Sequence, residues 1–142
     1  ATDDLLARSL QDAARLAIAD LGGAARIDLR VYNTAGSPAQ AQAVAVQAVG
    51  EGAEIILGPL YAAEANAVGA AVAGRGVSVL SFSNNTAIAG GNVFILGQTF
   101  DSTAARLARY AVRQGLGRIQ VVHERTTAGE AGRAAIEAGV QR

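Results

Sequence analysis

The stretch "AEIILGPLYAAEANAVGAAVAGRGVSVLSF" (residues 53–82) decides the fold of this chain. It opens with a short apolar run at 53–58, continues through a helical pattern at 61–73, and ends in a second apolar run at 77–82. Two continuous apolar runs that flank a helix are typical of parallel strands joined by a helical crossover. The stretch therefore predicts a β-α-β unit, in which Gly58-Pro59 ends the first strand.

The same alternation of strand and helix extends to both sides of this unit. Ser37 is predicted to cap the helix before it, and Asp101 or Ser102 the next long helix after it. Strands that alternate with helices of this length predict an α/β fold, a doubly wound parallel sheet with helices on both faces. The predicted helices cover residues 3–21, 38–49, 61–73, 101–114 and 129–138, and the predicted strands cover 26–32, 53–58, 77–82, 93–97 and 118–123.

The composition excludes several classes of partner and site. The 142 residues are 51% hydrophobic with a formal net charge of zero, which favours a folded domain and gives no electrostatic attraction for nucleic acid or an anionic membrane. There is no Cys, so disulfides, thiolate nucleophiles and Cys-based zinc sites are excluded. No apolar run approaches the roughly 18 residues of a membrane span.

Polar side chains collect where the predicted strands end. "SFSNNT" (81–86) carries five hydroxyl or amide side chains in six residues, and "LYAAE" (60–64) opens a helix whose free N–H groups attract carboxylates or phosphates. In a parallel sheet ligands bind beyond the carboxyl ends of the strands, which favours a site here. Simpler interpretations stay open: the polar loop caps a turn, Tyr61 only packs, and Glu64 only complements the helix dipole.

Signatures of catalysis are missing from the sequence. It contains no phosphate-binding glycine loop, no G-x-S-x-G elbow and no H-E-x-x-H motif. His123 stands alone without a second His or a Cys, so it does not indicate a metal site. We therefore predict a binding module, not an enzyme, with no catalytic residue, no metal and no cofactor.

Several segments of the sequence resemble a known protein family. The "DLRVYNTAGSPAQA" segment, the "GPL" corner, "VLSFSNN" and "VVHE…GE" together resemble the type I periplasmic binding proteins of the Leu/Ile/Val-binding family. The similarity is greatest to the penicillin-binding protein activator (LpoA-like) lipoproteins. The order and spacing of the quoted segments carry the resemblance over nearly the whole chain.

The resemblance implies a protein of two α/β lobes that hold a ligand in the cleft between them. Residues 1–100 would form lobe one without its first strand, which would lie upstream, and residues 101–142 the crossing segment and the start of lobe two. This accounts for a chain that opens with a helix. The start at Ala1 and the absence of Met separately indicate a processed or cropped sequence.

The family likeness also implies a function. We expect a non-enzymatic periplasmic receptor that binds a small polar or amino-acid-like ligand and serves an ABC transporter permease. The alternative is a lipoprotein that activates a penicillin-binding protein by contact, anchored through a lipid outside this segment. Relatives carry Ser at the positions of Ala62 and Ala63, Thr at Asn85 and an aromatic residue near Ala128. The ligand-binding residues implied are Tyr61, Ala62, Ala63, Ser83, Asn84 and Asn85.

Overall fold

The computed structural model describes residues 2–24 and 26–141, and it divides the chain into two compact units, one up to Asn33 and one from Thr34 onward. Five helices and three strands are found in the described ranges. In chain order they are α1 (Thr2–Asp20), α2 (Pro38–Gly50), β1 (Ile55–Leu57), α3 (Ala62–Ala71), β2 (Ser78–Ser81), β3 (Val93–Ile95), α4 (Phe100–Arg113) and α5 (Thr127–Val140), with a short 3₁₀ turn at Thr86–Ile88 between β2 and β3.

The first unit consists of α1 and the extended segment that follows it. The prediction of a strand over 26–32 is wrong, because residues 26–34 take part in no ladder within the described chain. The alternating pattern there gives the segment an apolar and a polar side, and Ile27 and Val31 remain about half exposed. A strand needs a neighbouring strand to pair with as well as alternation, and among the described residues no strand pairs with this segment.

The second unit contains the predicted β-α-β core. β1, β2 and β3 form a parallel sheet in that order, with Ile56 opposite Val79 and Val79 opposite Val93. This confirms the predicted α/β class and the parallel sheet. The core is made of small and β-branched residues, which let helices approach the sheet closely. It comprises Ala41 and Ala45 of α2, Val68 of α3, Val72 directly after α3, and Val77, Val79 and Val93 in or next to the strands.

One face of this sheet stays exposed, which corrects the expectation of strands covered on both faces. Ile55, Leu57 and Phe94 are 62%, 45% and 51% exposed, whereas Val79 on the opposite face is fully buried. The reason is topological. The crossover between β1 and β2 carries α3 on the core side, and the connection between β2 and β3 contains only the 3₁₀ turn.

The helices α4 and α5 pack against each other through alanines. Ala104, Ala108 and Ala111 of α4 are buried, as is Ala135 of α5. The cap of α4 is Thr99, whose Oγ1 accepts from the Ser102 N–H at 3.1 Å, so the prediction of Asp101 or Ser102 is wrong by two or three positions. The predicted strand over 118–123 is also absent, since this segment pairs with no strand in the described ranges.

Candidate functional site

The three strands end at one edge of the sheet, and the loops that leave this edge meet. The Gly58 N–H donates to the Leu80 carbonyl at 2.8 Å, and the Leu96 N–H donates to the Ser81 carbonyl at 2.8 Å. Gly58 has φ +103°, a conformation that favours glycine, so the chain can turn sharply as it leaves β1. The edge thus brings together the segments after Leu57, after Ser81 and after Ile95.

A chain of hydroxyl bonds fixes the polar loop after β2. Ser81 Oγ donates to the Pro59 carbonyl at 2.9 Å and accepts from the Ser83 N–H at 3.1 Å. Ser83 Oγ in turn accepts from the Asn85 N–H at 3.1 Å, and Asn85 Oδ1 accepts from the Ala87 N–H at 3.0 Å. Ser81 is fully buried and uses both its donor and an acceptor, so its role is to hold the loop.

Ser83 differs from Ser81 in what it leaves unused. Its side chain is buried, with 5% exposed, yet among the residues that the structure describes the hydroxyl accepts a bond and donates none. A hydroxyl carries one donor hydrogen beside its acceptor lone pairs, and a buried donor without a partner is unfavourable. Ser83 can therefore donate to an acceptor that a ligand supplies.

The amino end of α3 lies at the same edge. Tyr61 occupies the capping position with φ −90° and ψ 140°, and its side chain makes no capping hydrogen bond to the described first turn. The N–H groups at the start of an uncapped helix are suited to an anion such as a carboxylate. Glu64 also belongs to this turn; it is 3% exposed, and its Oε1 is buried without a hydrogen-bond partner among the described residues.

A cavity of about 390 Å³ opens between these loops. Of the predicted site residues it brings together Tyr61, Ser83 and Asn84, while Ala62, Ala63 and Asn85 are not on its wall. Asn85 instead caps the 3₁₀ turn. Sequence reasoning missed four wall residues. They are Leu60, Phe82, Gly97 and Gln98.

A second depression, of about 710 Å³, lies in the first unit, between the end of α1 and the segment at Arg26–Asp28. It is larger but carries no buried polar side chain. The cavity at the sheet edge combines a buried hydroxyl with an open helix end, and for that chemical reason we take it as the candidate site. Nothing can be said of the Ala128 side chain, which lies outside what the structure describes.

Charged groups elsewhere form surface pairs. His123 Nδ1 lies 3.7 Å from Glu130 Oε1 and 3.1 Å from the Glu124 carbonyl. The pKa of Arg133 is raised by its hydrogen bonds to Glu137 and Glu130. Within the described ranges, no three His, Cys, Asp or Glu side chains are grouped as metal ligands would be.

A family model and a solved structure match this chain. A family model described as periplasmic binding protein matches residues 3–142. The chain belongs to the periplasmic binding protein family. This confirms the resemblance to the type I, Leu/Ile/Val-binding kind, whereas neither comparison shows the narrower likeness to the penicillin-binding protein activators, which stays a hypothesis.

A solved structure shares the fold of this periplasmic binding protein chain. It is an ABC transporter substrate-binding protein from Desulfitobacterium hafniense in complex with Leu, which superposes with a TM-score of 0.70 at 18% sequence identity. The match covers 89% of this chain and 41% of that protein, so the chain spans less than half of its length. A search of curated protein sequences gave no match. None of the helices in the described ranges combines the length and apolar composition needed to cross a membrane.

Proposed function

We propose that this chain forms part of a non-enzymatic periplasmic receptor that binds a small, amino-acid-like ligand through its carboxylate. The observation that carries the proposal is the buried Ser83 hydroxyl, which donates to no described residue and lines a cavity beside the uncapped end of α3. The ligand named for the related substrate-binding protein, Leu, belongs to this chemical class.

The cavity offers separate places for the polar and apolar parts of such a ligand. Ser83 supplies a donor to a carboxylate at the cavity wall, and the first turn of α3, which begins directly after Tyr61 on that wall, adds the positive end of the helix dipole. Leu60, Tyr61 and Phe82 supply apolar wall for an aliphatic side chain.

Closure of a second lobe over the ligand would complete the site. Hinge closure around a ligand is the motion by which two-lobed receptors report their loaded state, here to the permease of an ABC transporter. The residues of this chain supply one wall of the cleft. We place the protein in the periplasm on the strength of its family.

The penicillin-binding protein activator is the second candidate function. It is favoured by one feature of the site: Ala62 and Ala63 carry no hydroxyl, at positions where the family resemblance implies Ser in amino-acid receptors. A protein that keeps the fold for contact with a synthase, held by a lipid anchor outside this segment, has no need of those hydroxyls.

Isothermal titration calorimetry on the full-length protein separates the two functions. We expect heat of binding with at least one of leucine, isoleucine and valine in a panel of amino acids. Ser83→Ala should weaken that binding about tenfold to hundredfold, since a hydrogen bond to a charged group is worth about 1.5–3 kcal/mol. Ser78→Ala, at the far end of β2, is the matched control and should bind as the wild type does.

Absence of binding by every amino acid in the panel would contradict the receptor function. In that case the activator function is tested by adding the purified protein to a penicillin-binding protein and measuring its peptidoglycan synthesis. A rate that does not change would contradict the second candidate too.

A further inference from the structure

Gly97 lies where the chain leaves β3, and its place against the neighbouring loop leaves no room for a side chain. A Cβ built on Gly97 would overlap the Ser83 carbonyl oxygen and would lie 2.6 Å from the Phe82 carbonyl oxygen and 2.7 Å from the Ser83 carbonyl carbon. Real Cβ contacts do not reach such distances. All three atoms belong to the backbone, so no side chain can turn away to make space.

The loop that Gly97 touches is held from its other side by fixed hydrogen bonds. The Phe82 N–H donates to the Pro59 carbonyl at 3.0 Å, and the Ser83 N–H donates to Ser81 Oγ at 3.1 Å. Ser81 is fully buried, so these bonds are shielded from water. The backbone of Phe82 and Ser83 is therefore clamped between Ser81 and Gly97.

We propose that Gly97 and Ser81 are positioning residues for ligand binding: together they hold the Ser83 hydroxyl at the wall of the cavity without donating to the ligand themselves. The inference rests on the proposed function, because it assigns these two residues to the same site. The glycine is needed here for close approach of two backbones, since its φ lies outside the left-handed region.

The test uses two variants that disturb the clamp in opposite ways. Gly97→Ala adds a methyl group that displaces residues 82 and 83, and Ser81→Ala removes the bond that holds the Ser83 N–H. In both variants, the affinity for the ligand that the calorimetric panel identifies should fall at least tenfold. The matched control for the glycine is Gly117→Ala, where a Cβ meets nothing within 4 Å, and its affinity should equal that of the wild type.

Two further readouts separate positioning from general loss of stability. In ¹⁵N-¹H spectra the amide signals of residues 82–85 should shift in both variants, while those of α4 and α5 stay in place. Adding Gly97→Ala to Ser83→Ala should weaken binding less than twofold further, because the methyl group acts through Ser83.

The outcomes are distinguishable from failure of the proposed function. If the wild type binds no amino acid, the proposed function fails and this inference fails with it. If the wild type binds and either clamp variant binds equally well, only the inference is overturned. Should Gly97→Ala not fold by circular dichroism, Ser81→Ala alone decides the result, and wild-type affinity in that variant overturns the inference.

Discussion

Helix α3 approaches the sheet closely at Gly69, and this contact makes a sharp prediction. A Cβ built on this buried glycine would overlap Cγ2 of Val93, which is itself 7% exposed. Helix α3 cannot easily move away from Val93, because Asn92 Nδ2 donates to the Gly69 and Val77 carbonyls, each at 3.3 Å. The distance from α3 to the sheet is therefore fixed next to the glycine.

The effect of Gly69→Ala follows from two opposing terms. Alanine in a helix interior is favoured over glycine by about 1 kcal/mol. Overpacking a well-packed core costs about 1–3 kcal/mol. Because the overlap is with a buried, β-branched side chain that has little rotamer freedom, we expect overpacking to win and the free energy of unfolding to fall by about 1–2 kcal/mol.

A second substitution tests the cause. Val93→Ala alone removes two methyl groups and should cost about 2 kcal/mol, from lost burial and the cavity left behind. In the double variant the alanine Cβ at position 69 enters the vacated space. The two effects should then sum to about 1–2 kcal/mol less than simple addition predicts.

Urea denaturation followed by far-ultraviolet circular dichroism measures all three variants. Gly50→Ala is the matched control: it is a helical glycine whose Cβ would meet nothing within 4 Å, and it should be neutral or stabilising by about 0.5 kcal/mol. A Gly69→Ala variant as stable as this control, or strictly additive effects in the double variant, would refute the reasoning.

Three further predictions concern single side chains, each measured by thermal or urea denaturation. Glu64→Met should raise the free energy of unfolding by about 1 kcal/mol, because it removes a buried carboxylate whose Oε1 has no partner; a loss would mean that the carboxylate is stabilised in solution. Thr99→Ala should lower the free energy of unfolding by about 1 kcal/mol through loss of the α4 cap, whereas Thr99→Ser should retain most of the stabilisation that the cap provides. Arg133→Met should leave the melting temperature unchanged at low and high salt, since its pairs with two glutamates are exposed.

The helices could be predicted because their signals are local. Ser37 and Pro38 mark the start of α2 by residue type alone, and Ser37 Oγ does accept from the Gln40 N–H at 3.4 Å. The cap of α4 was misplaced for the same reason. Thr99, Asp101 and Ser102 are all good capping types within four positions, and only the backbone angles select Thr99.

The strands were harder because a strand depends on a distant partner. The runs at 53–58 and 77–82 became β1 and β2 since each lies beside the other in a ladder. The alternation at 26–32 and the apolar run at 118–123 are equally strand-like in sequence, yet they pair with no described strand. Periodicity reports which face is apolar, and it does not report whether a neighbour exists.

For the candidate site, the strand topology predicted which residues lie near one another, and side-chain patterns alone did not. The rule that parallel strands end at one edge placed Tyr61, Ser83 and Asn84 near one another before any coordinates were known, and the three line one cavity. Gly97 gives no such signal, because its contact is an approach between two backbones. A glycine at the end of a strand reads in sequence as a turn, and the proximity appears only in three dimensions.

The structural and functional interpretations of the polar loop are compatible at the same residues. The turn uses the N–H groups of Ser83 and Asn85 and the oxygens that accept from them, so the loop is capped much as a purely structural turn would be. The turn leaves unused the hydroxyl hydrogen of Ser83, a donor that is buried at the cavity wall. A ligand that supplies an acceptor therefore adds a bond without breaking one, and the loop needs no rearrangement to receive it. Such preorganisation lowers the entropic cost of binding the proposed ligand.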